Sequence, residues 1–304
     1  MAEMRIFSEF ADGADSGESY RSESRSDRIR ENLAEIGATL LIASAKGGVG
    51  KSIITANVGA ALARRGKKVA IVDADLNSPS IIGMLGMKQP RGLPLVEGIE
   101  PAAGPHGLRV ISSDLLANAE PPAVAFVEPE NEPQPTPRAR PTATRESDAL
   151  FQMLTQARLG SLDFALIDLA PGIEDLYAVA RMVQPNGIVM VSHSSAQSVK
   201  ATQQAVRVAR RIDVPVVGLI ENMAGFSCDG CRAVRPLMPE GNLAGAASDL
   251  ELPVIGRLPF DPRLAEASDR GRLFIHEFAD SPLAKLLIEI AATIERLAAA
   301  QRRA

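Results

Sequence analysis

Short apolar runs recur along the chain, each closing on polar or glycine-rich residues. They are Thr39–Ala43, Lys68–Asp73, Arg109–Ser112, Phe164–Asp168, Ile188–Ser192, Val216–Glu221 and Val254–Leu258. None alternates cleanly between apolar and polar, so each reads as a strand buried on both faces. Between most of them lie longer segments with helical spacing: Ser52–Arg65, Asp148–Leu159, Gln197–Ile212, Asn242–Leu250 and Arg263–Arg270. A last one, Pro282–Arg302, carries Leu286, Leu287, Ile290, Ile294 and Leu297 on one stripe. Strand and helix in alternation predict an α/β domain: a doubly wound, mostly parallel sheet with helices on both faces.

Two segments break this rhythm. Residues 1–36 are rich in Ser, Glu and Arg and are expected to form a flexible polar tail, with a short helix near Arg28–Ile36. Residues 118–147 are expected to be a disordered insertion, since Glu120–Arg145 alone holds seven of the 21 prolines and seven charged side chains. The remainder of 37–304 is expected to form one domain.

Composition narrows the picture. With 46% hydrophobic residues, only 4% aromatic and no Trp, the core is aliphatic, which suits a covered parallel sheet. A net charge of −4 argues against a non-specific nucleic-acid binder. No apolar run reaches the roughly 20 residues of a membrane span, and the start lacks a basic-then-apolar leader. A cytoplasmic location without stable membrane association is expected. The chain has two cysteines. A reducing cytosol makes a close cysteine pair a metal-binding or redox candidate rather than a disulfide.

The strongest chemical signal is Ala45-Lys46-Gly47-Gly48-Val49-Gly50-Lys51-Ser52, between an apolar strand and a helix. Glycines there let backbone N–H groups turn onto phosphate oxygens, and the helix start adds its positive dipole end. Lys51 is placed to reach the β- and γ-phosphates of a nucleotide, and the Ser52 hydroxyl to bind Mg²⁺. Ala45 stands where the usual pattern has glycine, and Lys46 is a second lysine inside the loop. Val69-Ala70-Ile71-Val72-Asp73-Ala74-Asp75 ends a strand with two carboxylates, one for a Mg²⁺-bound water and one for the attacking water. Phe164-Ala165-Leu166-Ile167-Asp168 has the form of a second nucleotide motif, and Leu169-Ala170-Pro171-Gly172 after it could sense the γ-phosphate.

Two further groups follow. Glu221-Asn222-Met223 closes a strand, and the Asn222 amide offers the donor and acceptor that adenine requires. Cys228-Asp229-Gly230-Cys231 comes next. Two thiolates do not complete a tetrahedral Zn²⁺ site or an iron–sulfur cluster, but a symmetric dimer would bring four together. From the residues alone, a shared cluster, a shared Zn²⁺, a redox dithiol and two incidental thiols all remain open.

Together these motifs resemble the MinD/ParA class of deviant phosphate-loop ATPases, and within it the Mrp/ApbC branch of iron–sulfur cluster carriers. The resemblance spans roughly Leu40 to Ala300. It rests on Lys46–Ser52, Asp73–Ser80, Asp168–Gly172, Ile220–Met223 with Cys228 and Cys231, and Leu258-Pro259-Phe260-Asp261. It implies an ATP-hydrolysing homodimer, slow in turnover, that carries a [4Fe–4S] cluster to apoprotein clients. Lys46 would reach the partner's phosphates. Gly47, Gly48, Val49, Gly50, Lys51, Ser52 and Ile53 would hold ATP, with Asn222 and Pro259 at the nucleotide. Ser52 would ligate Mg²⁺, Asp75 and Asp168 would meet it through water, and Asp75 would activate the attacking water. Cys228 and Cys231 would hold the cluster with their dimer mates. A MinD/ParA-like positioning or regulatory ATPase without a cluster is the alternative. The family usually reads Asp-Leu-Pro-Pro-Gly-Thr-Gly-Asp after the Mg²⁺ strand; here Asp168-Leu169-Ala170-Pro171-Gly172-Ile173-Glu174-Asp175 stands instead, and Ile53 replaces a common Thr.

Overall fold

The computed structural model describes residues 26–88, 98–113, 142–227, 234–238 and 242–301. Its centre is an eight-stranded sheet made of β1 (Ile36–Ala43), β2 (Val69–Ala74), β3 (Ala102–Ala103), β4 (Arg109–Ser112), β5 (Leu162–Leu169), β6 (Gly187–Ser192), β7 (Val216–Glu221) and β10 (Val254–Arg257). Their order is β10-β7-β6-β1-β5-β2-β4-β3. Every pairing is parallel except the short edge pair β3–β4. The chain runs from β1 outward to one side and returns to the other, so β1 lies beside the point where the winding reverses. Such a point leaves a crevice at the C-terminal strand ends, where ligands of this architecture bind.

The pleat divides each strand between two cores. On β1, Leu40 and Ile42 face one layer while Leu41 and Ala43 face the other. Val69 and Ile71 oppose Ala70 and Val72 on β2 in the same way. The first layer is α2 (Lys51–Arg64), α8 (Pro262–Asp269), α9 (Phe274–Glu277) and α10 (Pro282–Gln301), which bring Ile54, Leu62, Leu287 and Ile290 onto the sheet. The second is α4 (Thr142–Gln156), α5 (Ile173–Val183), α6 (Ala196–Arg211) and α7 (Leu243–Asp249), with Met153, Val179 and Val206. A single-turn α3 (Ile81–Met84) follows β2. Each fully buried Leu or Ile side chain contributes about 1.5–3 kcal/mol, so truncating one such as Leu41 would be felt by the whole domain. Starts are set locally: Ser195 caps α6, Asn242 caps α7 and Asp261 caps α8, each accepting from a backbone N–H in the first turn.

Three features differ from the sequence reading. Helix α1 spans 26–33, and its Ile29 and Leu33 are buried in the second core, so the packed domain begins before residue 37. Asn32 Nδ2 fastens it, donating to Leu154 O at 2.6 Å and Ala157 O at 2.9 Å. Helix α4 starts at Thr142, inside the stretch expected to be an insertion. Helix α5 was not predicted, although Leu176, Val179, Ala180 and Val183 form a clear stripe. Residues 1–25 of the expected tail, 118–141 of the expected insertion, and both cysteines lie outside the described residues.

Candidate functional site

Strand β1 ends at Ala43, the loop runs Ser44–Gly50, and α2 begins at Lys51. Gly50 is the N-cap of α2 at φ 84°, a left-handed conformation that costs a side-chain-bearing residue energy. A Cβ at Gly50 would also lie 2.4 Å from Asn222 Nδ2, so any larger residue must eject that amide. No side chain caps α2, which leaves its first-turn N–H groups facing the loop. Val49 is buried and anchors the loop, Gly47 and Gly48 are exposed, and Ile53 is half-buried on the helix. This is a cradle for an anion at a helix start.

The charged centre sits beneath that cradle. Lys51 Nζ lies 2.8 Å from Asp168 Oδ2 and 3.1 Å from Ser52 Oγ. Ser52 Oγ donates to Asp168 Oδ2 at 2.6 Å. Lys51 is 6% exposed and Asp168 fully buried. The other carboxylate oxygen, Oδ1, accepts from Thr55 Oγ1 at 2.7 Å. Thr55 escaped the sequence reading. Its signal was its place four residues after Lys51, on the same face of the helix. Asp168 thus holds three donors from α2, and a phosphate and a hard cation arriving here would meet groups already converged.

Asp73 is the second residue whose role sequence alone did not assign. It pairs with Asp168 in register across β2 and β5. Fully buried, it accepts from Ser80 N at 2.8 Å and Ile81 N at 3.1 Å through Oδ2, and from Asp75 N at 3.3 Å through Oδ1. Burial raises its pKa to about 6; the nearby Asp168 charge also raises it, while the three backbone N–H bonds pull it down. Asp73 therefore folds the 75–81 segment over the strand ends. Asp75 sits in that segment, half-buried, accepting from Ser78 N at 3.1 Å. The pair splits its labour: Asp73 is enclosed and shapes the segment, while Asp75 is half-buried and ties the turn at Ser78.

Lys46 lies at the rim. Its Nζ donates to Gln197 Oε1 at 2.8 Å, at the start of α6. Burial and then the Lys46 charge lower the pKa of neighbouring His193. The Asp168–Asp175 segment crosses the loop here. Gly172 N donates to Ser44 O at 3.0 Å, and Pro171 lies over Gly47. Gly172 has φ 144° and ψ 160°, a region open only to glycine, so it aims α5 away from the loop.

Asn222 is buried and donates through Nδ2 to Val49 O at 2.9 Å, which ties its amide to the loop backbone. Beside it, buried Glu221 accepts from Arg257 Nε at 2.7 Å and from Ser194 Oγ. Pro259 is half-buried between two backbone ties: Leu258 N donates to Glu221 O and Phe260 N to Gly225 O. Strands β8 (Phe226–Ser227) and β9 (Val234–Arg235) pair antiparallel, and in sequence they bracket Cys228 and Cys231. Lys46, the loop, Lys51, Ser52, Asp75 and Asp168 therefore share one strand-end crevice, with Asn222 at its edge.

A family model described as ParA, NUBPL iron-transfer P-loop NTPase, matches residues 35–295. The chain belongs to this family. An iron–sulfur cluster carrier protein of Methanocaldococcus jannaschii is 34% identical over 247 residues, covering 80% of each chain. The cytosolic Fe-S cluster assembly factor NUBP2 of Bos taurus is 32% identical over 267 residues, covering 86% of this chain and 94% of the relative. Among solved structures, a nucleotide-binding protein of Archaeoglobus fulgidus in complex with ADP aligns at a TM-score of 0.67 and 30% identity, over 86% of this chain and 95% of that one. The ParA/NUBPL match covers both nucleotide motifs and the strand before the cysteines. No helix among the described residues is long and apolar enough to cross a membrane.

Proposed function

We propose that this protein is a nucleotide-switched iron–sulfur cluster carrier that works as a homodimer. The observation that carries the proposal is the shared rim: the phosphate loop and the strand end that leads to Cys228 and Cys231 are joined there by Asn222. A relative named an iron–sulfur cluster carrier protein, 34% identical over most of both chains, supports the reading.

In this proposal the loop Lys46–Ser52 and the start of α2 receive the phosphates of ATP, with Lys51 on the terminal ones. Ser52 and Asp168 suit Mg²⁺, since a hydroxyl and a carboxylate already sit 2.6 Å apart, and the ion would neutralise developing phosphate charge. Asp75 orients the attacking water, and Lys46 leaves Gln197 for the partner subunit's phosphates. Hydrolysis is slow and serves as a conformational switch. The cargo is a [4Fe–4S] cluster held by Cys228 and Cys231 of both subunits and passed to apoprotein clients in the cytoplasm. A positioning ATPase of the MinD/ParA kind gives the cysteine pair no task.

Anaerobic reconstitution with iron and sulfide tests the proposal, with Cys228→Ala/Cys231→Ala beside wild type. About four irons per dimer in wild type and none in the double variant are expected. No iron in either protein, with ATP hydrolysis intact, would overturn it.

A further inference from the structure

One chain of contacts runs from the nucleotide loop to the cysteine-bearing arm. It starts at Val49 O, which accepts from Asn222 Nδ2 at 2.9 Å. The amide lies so close over Gly50 that a single added Cβ would collide with it at 2.4 Å. The backbone of Asn222 is fixed independently, its N–H donating to Ser192 O at 2.8 Å. Met223 then turns the chain at φ 55°, a left-handed conformation that a non-glycine residue adopts at a cost. Past this elbow Ala224 N donates to Leu258 O at 2.9 Å, and Phe260 N donates to Gly225 O at 2.7 Å. Phe226 bridges to Phe260, their ring centroids 6.4 Å apart, and Cys228 is two residues further on.

We infer that Asn222 is a positioning residue that joins the nucleotide loop to the cysteine arm, so that phosphate bound in the loop is sensed at the thiols. Its buried amide nitrogen donates to a loop carbonyl, and the chain between it and Phe226 is turned by the elbow at Met223 and then tied to the segment after β10. A movement of Val49 therefore has little slack to dissipate in before reaching Phe226. The side chain acts through the loop and the arm and carries no chemistry of its own. Its biological meaning rests on the carrier reading, but its physical content does not.

The test uses the full-length apoprotein with both thiols reduced. The rate of iodoacetamide alkylation at Cys228 and Cys231 is followed by mass spectrometry, without nucleotide, with Mg–ADP and with a non-hydrolysable Mg–ATP analogue. Sedimentation alongside fixes the protein concentration where the chain stays monomeric, so subunit contact does not enter. In wild type, saturating nucleotide should change the rate by about fivefold or more, the lower range of typical site-to-site coupling. Asn222→Ala, read at saturating nucleotide, should shrink that response below about twofold.

Met223→Gly is the second variant. It relaxes the elbow, so it folds, and it leaves Asn222 in place. It should keep nucleotide affinity while weakening the response at the thiols. A full response in both variants would overturn the inference, as would a wild type whose thiols ignore nucleotide. If that happens while iron still loads, the joint falls and the carrier stands. If alkylation responds as expected while neither wild type nor variant holds iron, the carrier falls and the joint stands.

Discussion

At the C-terminal ends of β2 and β5 the charges are satisfied from within. Lys51 and Asp168 neutralise each other out of solvent, Ser52 and Thr55 complete the carboxylate, and Asp73 is wrapped by three backbone N–H groups. A few strands along the same rim, the arm beyond β7 is built differently. It is held by single backbone bonds and a two-residue strand pair, and it leaves Phe226 and Phe260 more than a third exposed. The first region is complete inside one chain and needs only a ligand to rearrange it. The second keeps two aromatic rings partly outward, and under the proposed function a client, a cargo or a second copy would cover it. That division suits a carrier: the charges beneath the nucleotide loop are converged in advance, while the part that hands over cargo is lightly held and free to open.

The sharpest way to break this contrast is to open the closed end. Lys51→Met removes the partner of a fully buried carboxylate and should destabilise the nucleotide-free protein by about 3–5 kcal/mol in urea denaturation. Lys51→Met/Asp168→Leu should recover most of that loss, because it removes both charges. A single variant as stable as wild type would show that this end is not closed.

The next effect concerns pH. Asp73 titrates near 6 in the fold against 3.8 in the unfolded chain. Between those values the native state holds a proton the unfolded state has released, so this group's contribution to stability falls as pH rises through the window. The loss is about 3 kcal/mol across it. Asp73→Asn should remove that component, so the stability gap between variant and wild type should move in the variant's favour from pH 4 to pH 6 without nucleotide. Parallel curves for the two proteins would contradict the buried-carboxylate account.

The smallest effect on the fold comes from Lys46. It belongs to the loop but points to the rim, where one hydrogen bond to exposed Gln197 holds it. Lys46→Ala should change stability by less than about 0.5 kcal/mol and leave ATP binding nearly intact. Hydrolysis should be lost under the proposed function, in which this side chain reaches the phosphates of the other subunit. Hydrolysis at the wild-type rate would remove Lys46 from the composite site and leave only the arm as an open region.

The central strands were legible because burial on both faces makes them almost free of polar residues, and that pattern needs no tertiary knowledge. The loop and Asp168 were legible because spacing and order carry their chemistry. Asp73 and Asp75 looked alike, since two carboxylates at the end of a strand buried on both faces give no sign of which is enclosed. Only the return of Ser80 and Ile81 over the strand distinguishes them. Thr55 looked like an ordinary helix residue until Asp168, over a hundred residues later, was placed against it. Ile29 and Leu33 were hidden in a polar segment because two apolar residues one turn apart make a weak signal. Asn222 was read as an adenine contact because its amide suits one; its bond to the Val49 carbonyl of the phosphate loop had no sequence signal, because that partner is backbone 173 residues away.

The Lys51–Asp168 pair has a consequence for how this protein takes up its nucleotide. Asp168 is the resident anion of Lys51, and Lys51 the resident cation of Asp168. A triphosphate that displaces the carboxylate leaves that carboxylate buried and unneutralised, so phosphate alone is a poor exchange. A bare cation has the mirror problem, since it must evict the ammonium into nothing. Both residents can be replaced only if an anion and a cation arrive together. Under the proposed function, uptake is an ion-for-ion swap, and nucleotide stripped of its divalent metal should compete poorly against the pair already in place.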